Sequence, residues 1–297
     1  MKILVTGSDG FIGKALVNEI KKTNNTVIEF DLGKGVNLLD EQHLTAALKG
    51  VDAVVHLAAL IDENEDFKLM HEVNVEGTEL LLEKCVEFKI KKFIYLSTVG
   101  VMGDITKKAD ELTPIKPETN YEKTKADAEK KVNEFQELLP ITILRSALVL
   151  GPNQYWKQII ELIKKSFPVI GNGKNTFQLI YYKDLVSAII FCLENKETEN
   201  ETFIVAEEKP KKLIGIYFLI QKELGIEKNI RTIPVFVARI YSFLSRNKLM
   251  KKEYIQRLVR ERNYSIQKIK GIGWAPKYST ENAVKETVME LMKKKEN

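Results

Sequence analysis

Cysteine, tryptophan and histidine are scarce in this chain: two, two and three among 297 residues. Cys85 and Cys192 lie among apolar residues at helical spacing, which reads as packed thiols rather than a disulfide framework. His43, His56 and His71 lack metal-ligand spacing, so all three read as structural and no metal is implied. No apolar run reaches the ~18 residues a membrane span needs. There are no repeats, no low-complexity linker and no nucleic-acid-binding motif, so no nucleic-acid partner is expected. A strand pattern from residue 2 leaves no room for a signal peptide, and a reducing cytoplasm is the expected compartment. Neither sign of charge dominates: 46 basic against 41 acidic residues give +5. The surplus gathers late, at Arg246, Lys248, Lys251, Lys252, Arg257, Arg260 and Arg262. It reads as a solvated surface, with an anionic substrate or a membrane surface as the alternatives.

What is present is an α/β pattern. Short β-rich apolar runs at 2–6, 26–30, 53–57, 92–97 and 141–148 alternate with helical stretches at 11–22, 41–48, 70–88 and 118–138. Runs of that kind suit a parallel sheet covered on both faces, and right-handed crossovers make it a Rossmann-type doubly wound sheet. Ligands then bind beyond the carboxyl ends of the strands. After Gly151 the pattern changes. A helix at 183–193 and a strand at 201–205 return to the sheet, followed by helices near 213–224, 235–244, 253–261 and 280–293. Residues 1–170 are therefore expected to form the dinucleotide-binding domain, with 177–205 returning to it. Residues 206–297 are expected to form most of a small, interleaved substrate lobe.

Two motifs carry chemistry. Thr6-Gly7-Ser8-Asp9-Gly10-Phe11-Ile12-Gly13 follows the first strand. Gly7 permits the tight turn, Gly10 lets the backbone approach a pyrophosphate, and Gly13 allows close helix–sheet packing. The helix that follows offers free N–H groups to the anion. Asp31 ends the second strand, 18 residues beyond Gly13, where a carboxylate accepts from ribose hydroxyls and repels a 2′-phosphate. This favours NAD over NADP, although Lys34 stands close by. Leu57, Ala58 and Ala59, then Ser97 and Thr98, follow later strands and converge on the same crevice.

Tyr121 and Lys125 are four apart on an expected helix and share a face. A free tyrosine titrates near 10, and bringing it to 7 requires about 4 kcal/mol of phenolate stabilisation. The neighbouring Lys125 ammonium, together with a positive nicotinamide ring, could supply that, and Lys125 could also grip the ribose. The hydroxyl of Thr98, 23 residues before Tyr121, can bond a substrate oxygen as charge develops; Ser97 is the alternative. Asn74, inside a helical stretch, would need partners on backbone groups of the neighbouring strand if buried.

Together these residues resemble the extended short-chain dehydrogenases/reductases, the NAD-dependent epimerase/dehydratase superfamily. Matching segments run through 6–13, 51–59, 74–78, 93–103, 113–129, 144–152, 181–188 and 273–277. The resemblance implies catalytic roles for Tyr121, Lys125 and Thr98. It implies cofactor contacts at Gly7, Gly10, Phe11, Ile12, Gly13, Asp31, Asn37, Leu38, Leu57, Ala58, Ala59, Asn74, Ser97, Tyr121 and Lys125. Asn37 stands where the family carries an acidic adenine contact. The family's V-Y-G is Val101-Met102-Gly103, and its L-R-P is Leu144-Arg145-Ser146. Three diphosphate contacts usual in nucleotide-sugar epimerases are missing or altered, at Leu148, at Thr176-Phe177-Gln178 and around Arg262-Asn263-Tyr264-Ser265. The chain thus looks closer to the 3β-hydroxysteroid dehydrogenase and dihydroflavonol-reductase branch.

The expected activity is NAD(P)-dependent hydride transfer at a secondary alcohol or ketone of a small-molecule substrate. The alternative is a nucleotide-sugar 4-epimerase or dehydratase with tightly bound NAD, in which Arg260 or Arg262 holds a diphosphate. A non-catalytic dinucleotide sensor is disfavoured because Tyr121 and Lys125 are both retained. The resemblance also implies a homodimer through the helices around 70–88 and 118–138. Val235-Phe236-Val237 and Ile240-Tyr241 are read as a substrate lid packed on the main domain, in preference to a membrane attachment.

Overall fold

The computed structural model describes residues 1–244 and 252–293. Strands β1 (Lys2–Thr6), β2 (Thr26–Phe30), β3 (Ala53–His56), β4 (Lys92–Thr98) and β5 (Ile141–Ser146) are joined by a later strand, β10 (Glu201–Val205). The sheet order is β10-β5-β4-β3-β1-β2 and every neighbouring pair is parallel. Chain order reverses between β1 and β3, which sets the ligand crevice beyond the carboxyl ends of those two strands.

Strand alternation divides the core in two. Ile3, Val5, Ala53, Val55, Ile94 and Leu144 face helices α1 (Phe11–Ile20) and α7 (Tyr182–Glu194). Leu4, Val54, Phe93, Tyr95, Ile141 and Ile143 face α2 (Glu41–Leu48), α4 (Gly77–Glu87) and α5 (Asn120–Glu134). Ile3, Leu4 and Val5 are all fully buried, and each such side chain contributes roughly 1.5–3 kcal/mol.

Two expected elements are resolved differently and one helix is new. The single helix at 70–88 is α3 (Phe67–His71), a π-helical turn (Glu72–Glu76) and α4. The wider turn moves Asn74 off the regular helical ladder. The strand at 141–148 stops at Ser146, and β6 (Leu148–Leu150) pairs instead with β9 (Leu179–Tyr181). Helix α6 (Gln154–Lys164) was not anticipated; Asn153 caps it by accepting from the Trp156 N–H at 3.0 Å.

The second lobe is built from crossing segments. β7 (Val169–Ile170) pairs with β12 (Thr232–Ile233), and β8 (Thr176–Phe177) with β11 (Lys211–Lys212). Helices α6, α8 (Leu213–Glu223) and α12 (Thr280–Lys293) enclose a third core around Trp156, Ile160, Ile216, Ile220, Val284 and Val288. Helices α9 (Val235–Leu244) and α10 (Lys252–Val259) flank β7, and α11 (Gln267–Gly271) lies against β10. Asp184 on α7 accepts the N–H groups of Lys277 and Tyr278, tying the tail to the main domain. Cys85 and Cys192 are buried free thiols. Among the described residues, no helix is long and apolar enough to cross a membrane.

Candidate functional site

The glycine turn is shaped by space. Gly7 has φ +69°, and a Cβ there would lie 2.7 Å from the Ala58 nitrogen. A Cβ at Gly13 would fall 2.1 Å from the Gly7 oxygen, whereas one at Gly10 would meet that oxygen at 3.1 Å. Phe11, Ile12 and Gly13 open α1 ahead of its first regular bond, Lys14 N–H to Gly10 O at 2.9 Å, so their N–H groups face the crevice. Ser8 Oγ is buried with no hydrogen-bond partner among the described residues. Asp31 accepts the N–H groups of Asp9 and Gly33, both at 3.0 Å, which fixes its carboxylate at the end of β2. Lys34 is paired with Glu29 at 3.0 Å and Asp9 at 3.4 Å. A backbone cradle with an acceptor at its rim fits a dinucleotide. Phe11 packs on Tyr182 at 5.1 Å, and a Cβ at Gly151 would lie 2.5 Å from the Phe11 ring.

Asn37 is exposed and folds its amide oxygen back onto the Leu39 N–H at 3.1 Å. The Leu38 side chain is buried against Gly77 rather than in the crevice. Leu57, Ala58 and Ala59 are half-buried in the loop after β3.

A buried relay supports that loop. The Thr6 hydroxyl accepts the Ala58 N–H at 3.3 Å and lies 2.6 Å from His56 Nδ1; His56 Nε2 lies 2.9 Å from Thr78 Oγ1, which donates to the Asn74 carbonyl at 2.7 Å. These directions leave His56 a neutral tautomer with its proton on Nε2. Burial, then the charge of Lys125, push its pKa down to about 3. The Asn74 side chain completes the set. Its oxygen accepts the Leu60 N–H at 2.7 Å, and its nitrogen donates to the Leu60 carbonyl at 2.9 Å and to Thr124 Oγ1 at 3.0 Å. Its backbone partner is Leu60 in the loop after β3, not the expected strand itself.

Ser97 and Thr98 part company at the end of β4. The Ser97 hydroxyl is buried and donates to Glu129, which also holds Arg145 through Nη2 at 2.8 Å and Nε at 3.1 Å. Thr98 is half-buried, and its oxygen accepts the Gly100 N–H at 3.0 Å, leaving its own proton to donate.

Tyr121 sits one residue into α5. That helix starts with a capping box: Thr119 Oγ1 accepts the Glu122 N–H, and Glu122 accepts the Thr119 N–H at 3.0 Å. Lys125 is buried, with its ammonium 4.0 Å from the Tyr95 ring centre. Burial pushes its pKa down to about 7, against the pull of Glu129. Burial pushes Tyr121 up to about 12; Arg257 pulls it down, while Glu122 and Glu63 push it up. The cation acting on Tyr121 here is therefore Arg257, 5.9 Å from its ring centre, and not the expected Lys125.

Three late arginines read as solvated surface are drawn into the protein. Arg257 pairs with Glu63 at 2.6 Å and donates to Thr119 Oγ1 at 2.8 Å. Arg260 pairs with Glu118 at 2.6 Å and Glu122 at 2.8 Å, so of the two arginines expected to hold a diphosphate this one is already committed to carboxylates. Arg262 stacks on Phe177 at 4.8 Å, and its Nε is buried without a partner among the described residues. Glu63 also reaches the Tyr121 N–H at 3.4 Å. No sequence motif announces Glu63 or Glu118; the Thr119–Glu122 spacing was the one readable sign of this cluster. Gln178 is buried, donating to the Glu207 carbonyl and accepting the Tyr264 N–H. Arg246, Lys248 and Lys251 lie outside the described residues, and Lys252 opens α10. Among the described residues, no group of His, Cys, Asp and Glu is placed to hold a metal ion.

Residues 3–206 match the model of the NAD dependent epimerase/dehydratase family, and the chain belongs to that family of enzymes. A dTDP-D-glucose 4,6-dehydratase of Dictyostelium discoideum is 33% identical over 247 residues, 67% of this chain; the chain spans only 57% of that relative's length. An uncharacterised UDP-glucose epimerase of Bacillus subtilis is 30% identical over 76% of this chain and 83% of its own. The crystal structure of a UDP-glucose 4-epimerase from Thermotoga maritima with UDP-glucose superposes over the whole of both chains, with TM-score 0.83 and 26% identity.

Proposed function

We propose that this chain moves a hydride between NAD and a secondary carbinol carbon of a small-molecule substrate, with Tyr121 moving the hydroxyl proton. One observation carries the reading: Tyr121 and Lys125 on α5 and Thr98 on β4 lie at the same sheet end as a glycine cradle that only a bare backbone can form. NAD would lie with its pyrophosphate on the N–H groups of Phe11, Ile12 and Gly13 and its ribose on Asp31. When bound, its nicotinamide accepts or returns the hydride. Thr98 would donate to the substrate oxygen, Tyr121 would take the proton from that oxygen, and Lys125 would leave Tyr95 to hold ribose and stabilise the phenolate. Native mass spectrometry should find NAD on the purified protein, and Tyr121→Phe should lose turnover while keeping NAD. Unchanged turnover overturns the assignment.

A second reading differs in the fate of the hydride. In a nucleotide-sugar epimerase it returns to the substrate and no NADH accumulates. The relatives named above favour this reading, as does Arg262, whose Nε is buried without a partner among the described residues. The residues at Leu148 and Gln178, which supply no cation, favour net redox. Incubation with UDP-sugars and, separately, with hydroxysteroid-like alcohols separates them. Sugar interconversion without NADH supports the second reading, and NADH formed in step with ketone supports the first.

A further inference from the structure

Helices α1 and α7 begin side by side. Phe11 is the first residue of one and Tyr182 the first of the other, and their rings pack at 5.1 Å with a tilt of 50°. Aromatic rings favour such offset and tilted contacts. Gly151, just after β6, closes on the pair from a third side. A Cβ there would fall 2.5 Å from Phe11 Cζ and 2.8 Å from Tyr182 Cδ1. The φ of Gly151 lies outside the left-handed region, so the two rings, and not the backbone, require a bare position.

Tyr182 is held in turn by the second lobe. Its ring packs against the third core, and the Tyr181 ring meets it edge-on at 4.8 Å. Tyr181 packs on Tyr278 of the tail at 4.7 Å, and its hydroxyl donates to Glu286 on α12 at 2.8 Å. The Lys183 ammonium pairs with that same carboxylate at 2.6 Å. A row of rings thus runs from the tail of the second lobe to the first residue after the glycine turn.

We propose that Tyr182 is a positioning residue for NAD: its ring fixes Phe11, and with it the first turn of α1, in the arrangement that aims the Phe11, Ile12 and Gly13 N–H groups at a pyrophosphate. Those three N–H groups donate to no helical carbonyl, so their aim answers to packing at the turn and not to the helical ladder. Binding groups must sit within about 0.5 Å of the productive geometry, which makes the support behind them part of the affinity. Through Tyr182 the second lobe takes part in holding the cofactor. The inference rests on the cofactor reading above and not on the identity of the substrate.

Calorimetric titration of the full chain tests it. Tyr182→Leu removes the ring and should weaken NAD binding at least tenfold. Tyr182→Phe keeps the ring and should bind NAD as the wild type does. Gly151→Ala forces the two rings apart and should weaken NAD at least tenfold by a separate route; it decides the matter if Tyr182→Leu does not fold. ADP-ribose, which carries the pyrophosphate, should lose as much affinity as NAD in these variants. Adenosine, which lacks it, should lose none, a pattern that general loosening of the fold would not give. Unchanged NAD affinity in Gly151→Ala or in folded Tyr182→Leu overturns the proposal. So does a tenfold loss in Tyr182→Phe, or an equal loss for adenosine. Wild-type protein that binds no NAD overturns the cofactor reading and this inference together, whereas wild-type binding with unaltered variants overturns this inference alone.

Discussion

The Lys125 ammonium rests 4.0 Å from the centre of the Tyr95 ring. Both side chains are buried, and the Tyr95 hydroxyl has no partner among the described residues. Lys125 is thus parked on an aromatic face inside the protein, titrating near 7, while Tyr121 titrates near 12. Bringing that tyrosine from 12 to 7 requires about 7 kcal/mol, at 1.36 kcal/mol per unit. Lowering it calls for positive charge nearer the phenol, from Lys125 once it leaves Tyr95 and from the nicotinamide ring. Tyr121→Phe should lower turnover by about 10²–10⁴-fold. Lys125→Met should lower turnover and also weaken NAD binding. Steady-state kinetics with an NAD titration distinguishes the two, and an unaltered NAD affinity in Lys125→Met would remove that lysine from the ribose.

Glu63 and Arg257 should move the pH dependence of turnover in opposite directions. Glu63 raises the Tyr121 pKa and Arg257 lowers it. In the oxidising direction, kcat/KM rises as Tyr121 loses its proton. The midpoint should fall to lower pH in Glu63→Gln and climb in Arg257→Gln. A shift of the same sign in both variants would contradict this electrostatic account.

Asn74→Leu should be costly out of proportion to its size. It strands the Leu60 N–H, the Leu60 carbonyl and the acceptor position on Thr124 Oγ1. Buried polar groups left unpaired cost about 1–3 kcal/mol each, so a loss of about 3 kcal/mol is expected on denaturant unfolding. A loss below about 1 kcal/mol would mean the loop relaxes to new partners.

The three glycines of the turn should rank by space. Gly13→Ala puts a methyl 2.1 Å from a backbone oxygen that cannot retreat, and should abolish NAD binding and lower the melting temperature. Gly10→Ala meets the same oxygen at 3.1 Å, so the fold should survive while NAD binds at least tenfold more weakly. Calorimetric titration and thermal melts together read both effects.

His56 should make the protein acid-sensitive. Its pKa is about 3 folded against 6.5 unfolded, so the unfolded chain binds the extra proton. The neutral-form stability is complete above 6.5 and is lost as pH falls towards 3, at about 1.4 kcal/mol per pH unit. Unfolding free energies measured from pH 7 to 4 should fall by about 3 kcal/mol more in the wild type than in His56→Gln. Parallel curves would show that the relay tolerates an imidazolium.

The sheet and the glycine cradle were legible because local physics fixes them. Buried parallel strands are short β-branched runs, and a backbone-only cradle demands glycine at set intervals. Tyr121, Lys125 and Asn74 could be located by spacing and resemblance, but not their partners. Glu63 and Arg257 are 194 residues apart, and only the return of the second lobe brings them together. The same holds for Ser97, whose commitment to Glu129 depends on α5 packing over β4.

The crossing of segments has a consequence for how the polypeptide is made. β10 closes the far edge of the sheet, and it is followed by a tail whose Lys277 and Tyr278 bind back onto α7. Until residue 205 has left the ribosome, β5 stands as an open border with its ladder groups unmatched. The nucleotide-cradling half is thus finished only once β10 has been made, long after its glycine signature.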